Sequence, residues 1–360
     1  MAHGRKDFAV LGGREDAMAK RSAAAKRWNS GYLFALFTVS VWGITFVSTK
    51  VLLVDFSPME ILFTRFVMGL AALWLLRPRT LKLASRRHEG LFILAGITGV
   101  LLYYLLENIA LVFTTASNVS VIGATSPLFT ALVASFLLRK RAFGSCFVAG
   151  FVLAMAGIAL VSFQAEAGVF LAGAMGGGEW NQLFGVDQAA AQAVPAALEP
   201  RSAGAFVNLG DALVILAAFV WAVYSNVVKK ISDLGYETIA STKRIFVWGV
   251  LCMAVIFPLV GGMNLDASLA FSPVAGGLER FLDPVNLSNL LFLGLLASAG
   301  CFVTWGSAVA RIGATRTTVF IYLVPVITVT ASVIVLGEPF TPQIAAGIVL
   351  VIAGLAISSK

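Results

Sequence analysis

A chain of 360 residues that is 59% hydrophobic and only 12% charged is not a soluble globular domain, where about 25% of residues carry charge. Its net charge of +8 invites a nucleic-acid reading, but the placement of the basic residues explains it better as membrane topology. The apolar runs lack two-residue alternation, which excludes an outer-membrane barrel built from alternating segments of about ten residues.

Residues 1–30 form a basic, Ala-rich tail with no apolar core ahead of the first span, so no cleavable signal peptide is expected. Crossing hydrocarbon takes about 20 residues of helix. Ten stretches qualify: 31–53, 57–77, 90–111, 116–138, 143–163, 206–228, 239–261, 288–309, 315–336 and 342–358. The reading is an all-α polytopic membrane protein with a first half at 31–163 and a second at 206–358. The Gly/Ala/Gln-rich stretch 164–205 between them reads as a flexible linker on the outer side. With the N-terminus inside, the inner segments collect nearly all the Lys and Arg. The outer loops keep only Arg201 and Arg280, and Lys50 and Arg65 fall on spans. By the positive-inside rule both termini are then cytoplasmic, in a plasma (inner) membrane. Cys146, Cys252 and Cys301 all fall on spans, so no disulfide is expected.

The halves repeat each other. WGITFVSTK (42–50) returns as WAVYSNVVK (221–229), and at the same offset Arg65 answers Arg244. At a second offset Gly96 answers Gly294, Ala116 answers Ala314 and Pro127 answers Pro325, while AGFVLAMAG (149–157) answers AGIVLVIAG (346–354). Five spans per repeat place the two halves in the membrane with opposite orientation, as in many secondary transporters whose site lies between inverted repeats. Pro127 and Pro325 sit inside the fourth and ninth spans. Each removes a helix hydrogen bond and crowds the preceding turn, giving a kink.

Enzyme chemistry has little to work with. The only histidines, His3 and His88, lie off the spans, so neither a Ser–His pair within the membrane nor a His- or Cys-based zinc site can be assembled. No phosphate loop is present, so no P-loop ATPase motor is expected, and no cofactor is expected either. A lipid or glycan transferase, the competing reading, needs clustered acids or a base at one membrane face, and the acids here are sparse. Charged groups on spans are costly and mark function by default: Lys50, Glu60, Arg65 and Glu107 share the outer leaflet. Snorkelling and structural ion pairs are the plain alternative. Glu107 is the deepest of the four, and is expected either to pair with Lys50 or Arg65 or to exchange a proton during transport. The repeat aligns it with Trp305 and aligns Asn118 with Arg316, so symmetry requires neither.

The segments WGITFVSTK, LLYYLLENIALVFTTASNVSVIGATSPLFTALVASFLL, WAVYSNVVKK and ARIGATRTTVFIYLVPVITVTASVIVLGEPFTPQIAAGIVLVIAG, in this order, resemble the drug/metabolite transporter superfamily in its bacterial EamA-type branch. One departure is visible. The Gly-Glu ahead of a repeat's last helix stands as Gly337-Glu338 in the second half, but the first half has Arg139-Lys140. The resemblance implies ten helices in two inverted repeats, a central cavity, and export or exchange of a small metabolite without ATP. The partners implied are the solute and the lipid bilayer, with protons as the candidate coupling ion. Combined with the repeat, it implies a cavity wall drawn from the first, third, fourth, sixth, eighth and ninth spans. Trp42, Tyr103, Glu107, Asn118, Trp221, Tyr224, Trp305 and Tyr322 are the candidate lining residues, aromatics with polar handles that suit an amphipathic solute. The fifth and tenth spans, with Gly157 and Gly354, should pack on each other through small residues.

Overall fold

The computed structural model describes residues 30–113, 116–138, 144–157, 160, 209–261, 277–336 and 342–358, and every regular element among them is helical. The tail, the linker 164–205, Arg139-Lys140 and Gly337-Glu338 lie outside the described residues. In chain order the helices are α1 (Ser30–Leu52), α2 (Pro58–Leu76), α3 (Glu89–Gly96, Ile97–Leu102 and Tyr103–Phe113, end to end), α4 (Ala116–Gly123 and Ser126–Leu138), α5 (Ser145–Gly157), α6 (Leu209–Asp233), α7 (Thr238–Gly261), α8 (Pro284–Ile312), α9 (Ala314–Val319, Phe320–Tyr322 and Leu323–Leu336) and α10 (Pro342–Ser358). Seven helices among the described residues are long and apolar enough to cross a membrane. The shorter apolar helices Ser126–Phe136, Ser145–Gly157 and Ala345–Ser358 fall where the fourth, fifth and tenth spans are expected. The protein is an all-α polytopic membrane protein.

Helix starts are written in local chemistry. Ser57 caps α2: its hydroxyl accepts from the Glu60 amide at 3.3 Å, and the Glu60 carboxylate accepts from the Ser57 amide at 2.8 Å, with Pro58 at the first helical position. Such a cap is worth about 1 kcal/mol over alanine. Asp283 caps α8 in the same way, accepting from the Val285 and Asn286 amides ahead of Pro284. Gly313 joins α8 to α9 at φ 87°, a left-handed conformation that a side chain would strain.

The packing exchanges the halves. α1 lies against α8 and α9: Thr38 and Thr304 hydroxyls meet at 2.7 Å, and the Thr328 hydroxyl donates to the Gly43 carbonyl at 2.9 Å. Its counterpart α6 packs on α3 and α4, where the Asn226 amide donates to the Thr130 carbonyl. α2 packs on α8 while α7 packs on α3. Glycines open both crossings: a Cβ on Gly69 would lie 3.1 Å from the Gly294 carbonyl, and one on Gly96 would lie 2.8 Å from the Gly249 amide. Ion pairs clamp opposite ends of the bundle. Arg280, just ahead of α8, pairs with Glu60 at the start of α2, and Arg244 on α7 pairs with Glu89 at the start of α3.

Irregularities also recur in both halves. α3 opens into π-helical turns over Ile97–Leu102 and α8 over Phe292–Gly300; such turns gather at functional sites. α4 breaks at Ala124 and Thr125, ahead of Pro127, and the Gly123 carbonyl is taken by the Ser126 hydroxyl at 2.6 Å. α9 narrows to a 3₁₀ turn over Phe320–Tyr322, ahead of Pro325. The prolines therefore act just upstream of themselves, where their ring displaces a carbonyl. Cys146, Cys252 and Cys301 are free thiols.

Candidate functional site

A narrow chamber of about 30 Å³ lies between the halves. α1 contributes Trp42, Thr45 and Phe46, and α3 contributes Tyr103, Tyr104 and Glu107. α4 contributes Ser120, Gly123 and Ser126, α6 contributes Trp221, and α9 contributes Ile321 and Val324. Its space comes from the α4 side, where three small residues recur every third position along one helix face. Opposite them stands a wall of rings. Trp42 meets Trp221 edge-on at 5.1 Å, and Trp221 lies 4.7 Å from Tyr103. The Trp42 ring is held by its N–H, which donates to the Ala297 carbonyl at 3.2 Å.

Glu107 is 5% exposed and is the one carboxylic acid lining this chamber among the described residues. It sits one turn beyond Tyr103, whose phenol is within hydrogen-bonding reach. The π-helical turns end at Leu102. One added residue rotates everything after it by about 100° at 3.6 residues per turn, so this distortion sets where Tyr103, Tyr104 and Glu107 point. Of the two expected states of Glu107, pairing with Lys50 or Arg65 or exchanging a proton, no direct ion pair is seen among the described residues, although the Arg65 charge acts on Glu107 at longer range.

The structure spreads the other candidates. Trp305 is fully buried behind the wall, 5.0 Å from Trp42 and 5.6 Å from Trp221. Tyr322 is fully buried on the 3₁₀ turn of α9, and its neighbour Ile321 is the residue that lines the chamber. Tyr224 packs on Trp221 at 4.8 Å and borders a second cavity of about 20 Å³ with Phe302, Ser241 and Thr242. The side chain of Asn118 falls outside the described residues. Lys50 is half-buried in the last turn of α1. Glu60 is a helix cap and an ion-pair partner at the bundle end, which accounts for its charge structurally. Arg65 is completely buried on α2, its Nε donating to the Ser298 hydroxyl at 3.0 Å. Pro127 is buried beside the α4 break that shapes the chamber floor, and Pro325 is buried near the corresponding turn of α9.

Trp221 lines the first cavity, and Tyr224 and Phe302 line the second, so a layer of rings stands between the two. The first cavity lies toward the α3–α4 connection and the second toward the α6–α7 connection, where it reaches Ser232, Tyr236 and Thr238. Sequence reasoning missed Thr45, Phe46 and the small α4 residues. Ser120, Gly123 and Ser126 were findable as small residues three apart. It also missed the capping box that accounts for Glu60, legible as Ser57-Pro58-Met59-Glu60, and Ser298, for which the sequence carries no signal.

A family model described as the EamA-like transporter family matches residues 29–163 and again 208–360. An uncharacterized transporter of Archaeoglobus fulgidus is 26% identical over 330 residues, covering 91% of this chain and 96% of that protein. A probable terminal-alkyne amino-acid exporter of Streptantibioticus cattleyicolor is 26% identical over 328 residues, covering 90% and 92%. A solved structure described only as the crystal structure of a protein superposes with a TM-score of 0.59 at 16% identity, covering 93% of this chain and 96% of that one.

Proposed function

Because this chain belongs to the EamA-like transporter family, we propose that it is a secondary exporter of a small amphipathic metabolite, an amino acid or a close relative. A lipid or glycan transferase is set aside, since the family is one of transporters. The carrying observation is the chamber itself, an aromatic pocket edged by hydroxyl groups and, among the described residues, one buried acid, facing a second cavity across a layer of rings. Alternating access then amounts to opening one cavity while the ring layer closes the other, with α4 and α9 flexing at their paired breaks. The name of the Streptantibioticus relative supports an amino-acid-like cargo. Proton coupling through Glu107 is part of this reading, because among the described residues it is the one carboxyl group that the chamber presents.

The test is counterflow in proteoliposomes. Vesicles preloaded with an unlabelled L-amino acid should accumulate the labelled one, saturably and only when the protein is present. No accumulation above protein-free vesicles across the L-amino acids would remove the cargo class. The proposed orientation has both termini in the cytoplasm of an inner-membrane protein. A phosphatase or fluorescent reporter fused after Lys360 is expected to report a cytoplasmic location, and periplasmic activity would sink the even span count.

A further inference from the structure

Arg65 is the group that the fold explains least. Its side chain is 0% exposed, and its two terminal guanidinium nitrogens have no hydrogen-bond partner among the described residues. A guanidinium cannot shed its charge. Buried unpaired donors and an unpaired buried charge are both costly, and such groups are normally satisfied in native structures. Only Nε is satisfied, by Ser298 on α8. The rest of the charge rests on rings: its Cζ lies 4.4 Å from the Tyr104 ring centroid and 5.5 Å from that of Phe66. Cation–π contact compensates a desolvated cation in part, but leaves the guanidinium N–H groups without acceptors.

Tyr104 is the partition here. The same ring that covers Arg65 lines the chamber. Glu107 lies three residues further along the same helix face; among the described residues it makes no direct ion pair with Arg65, and the two charges act on each other only at longer range. A fork of N–H groups matches the two oxygens of a carboxylate, giving paired charge-assisted hydrogen bonds.

Resting on the reading of the chamber as the solute site, we propose that Arg65, braced by Ser298, is a carboxylate-binding site that opens to the chamber when the Tyr104 ring swings aside. The cargo then carries a carboxylate, which replaces the ring as the partner of the guanidinium. A fully hydrophobic or purely cationic solute would leave that fork unmatched.

The test compares two isosteric probes, 3-phenylpropionate and the neutral 3-phenylpropionamide, on the purified full-length protein. Trp42 and Trp221 line the chamber and provide the fluorescence signal. The wild type is expected to prefer the carboxylate at least about tenfold, as charge-assisted pairs exceed neutral ones. Arg65→Met should bring the preference to parity while amide binding persists, and that persistence shows that the chamber is still folded. Should Arg65→Met not fold, Arg65→Lys decides, since it keeps the charge but loses the fork; its preference should fall at least about threefold. No carboxylate preference in the wild type, an undiminished preference in Arg65→Met or Arg65→Lys, or chloride competing as well as the carboxylate would each overturn the site. Counterflow of an amino acid without any carboxylate preference would remove Arg65 and leave the exporter reading standing. Carboxylate binding at Arg65 without counterflow would do the reverse.

Discussion

Glu107→Gln is expected to reduce export at least about tenfold, equivalent to a loss of about 1.4 kcal/mol at the limiting step, and to abolish its dependence on pH. The substitution is nearly isosteric and keeps a hydrogen-bonding group beside Tyr103, so packing in α3 should survive. What it removes is the one carboxyl group in the chamber wall among the described residues. An ionisable residue held in apolar surroundings at 5% exposure is expensive to keep and is retained for use. Glu107→Asp shortens the reach by one methylene and should keep part of the activity. Counterflow rates at several pH values, normalised to the amount of protein in the vesicles, check this. Unchanged flux and an unchanged pH profile in Glu107→Gln would reduce Glu107 to a structural hydrogen-bonding residue.

The second large effect concerns stability rather than transport. α5 and α10 cross through glycine: a Cβ on Gly354 would lie 2.6 Å from the Ala154 amide and 2.6 Å from the Gly150 carbonyl, and one on Gly157 would lie 2.5 Å from the Gly347 carbonyl. The obstructing atoms are backbone, which cannot rotate away. Overpacking of this kind costs about 1–3 kcal/mol or more, and close small-residue crossings are a main source of helix association in lipid. Gly354→Leu is therefore expected to lower the melting temperature in detergent by several degrees and to cut the monodisperse yield. Ile352→Leu, on the exposed side of the same helix, should do neither. Flux per folded molecule should stay normal in Gly354→Leu, because neither helix lines the chamber. A melting temperature equal to that of the wild type would mean that this crossing does not hold the bundle together.

Arg65 shows where sequence reading stops. Aligning WGITFVSTK with WAVYSNVVK makes Arg65 the counterpart of Arg244. The glycine crossings set a different register. A Cβ on Gly294 meets the Arg65 carbonyl, and one on Gly96 meets the Ile245 carbonyl, so Ile245 is the spatial counterpart of Arg65. The difference is one residue, about 100° around a helix. It sends Arg65 inward to Ser298 and leaves Arg244 to pair with Glu89 at the bundle end. The same kind of phase change separates Tyr322, buried on its turn, from Ile321, which lines the chamber.

Membrane class, helical architecture, the repeat and the transporter family were all determined by the sequence itself. These properties are sums over about 20 residues of hydropathy or over a motif order that occurs twice, and a local error averages out of them. The aromatic stripe and Glu107 were also visible, because they are rare residue types in an apolar chain. Which of those side chains share a chamber was decided only in three dimensions. Side-chain azimuth depends on the π-helical turns of α3 and α8, on the breaks of α4 and α9, and on glycine crossings that set helix rotation. Each such feature shifts everything beyond it by a fraction of a turn, and no property summed along the chain records that shift.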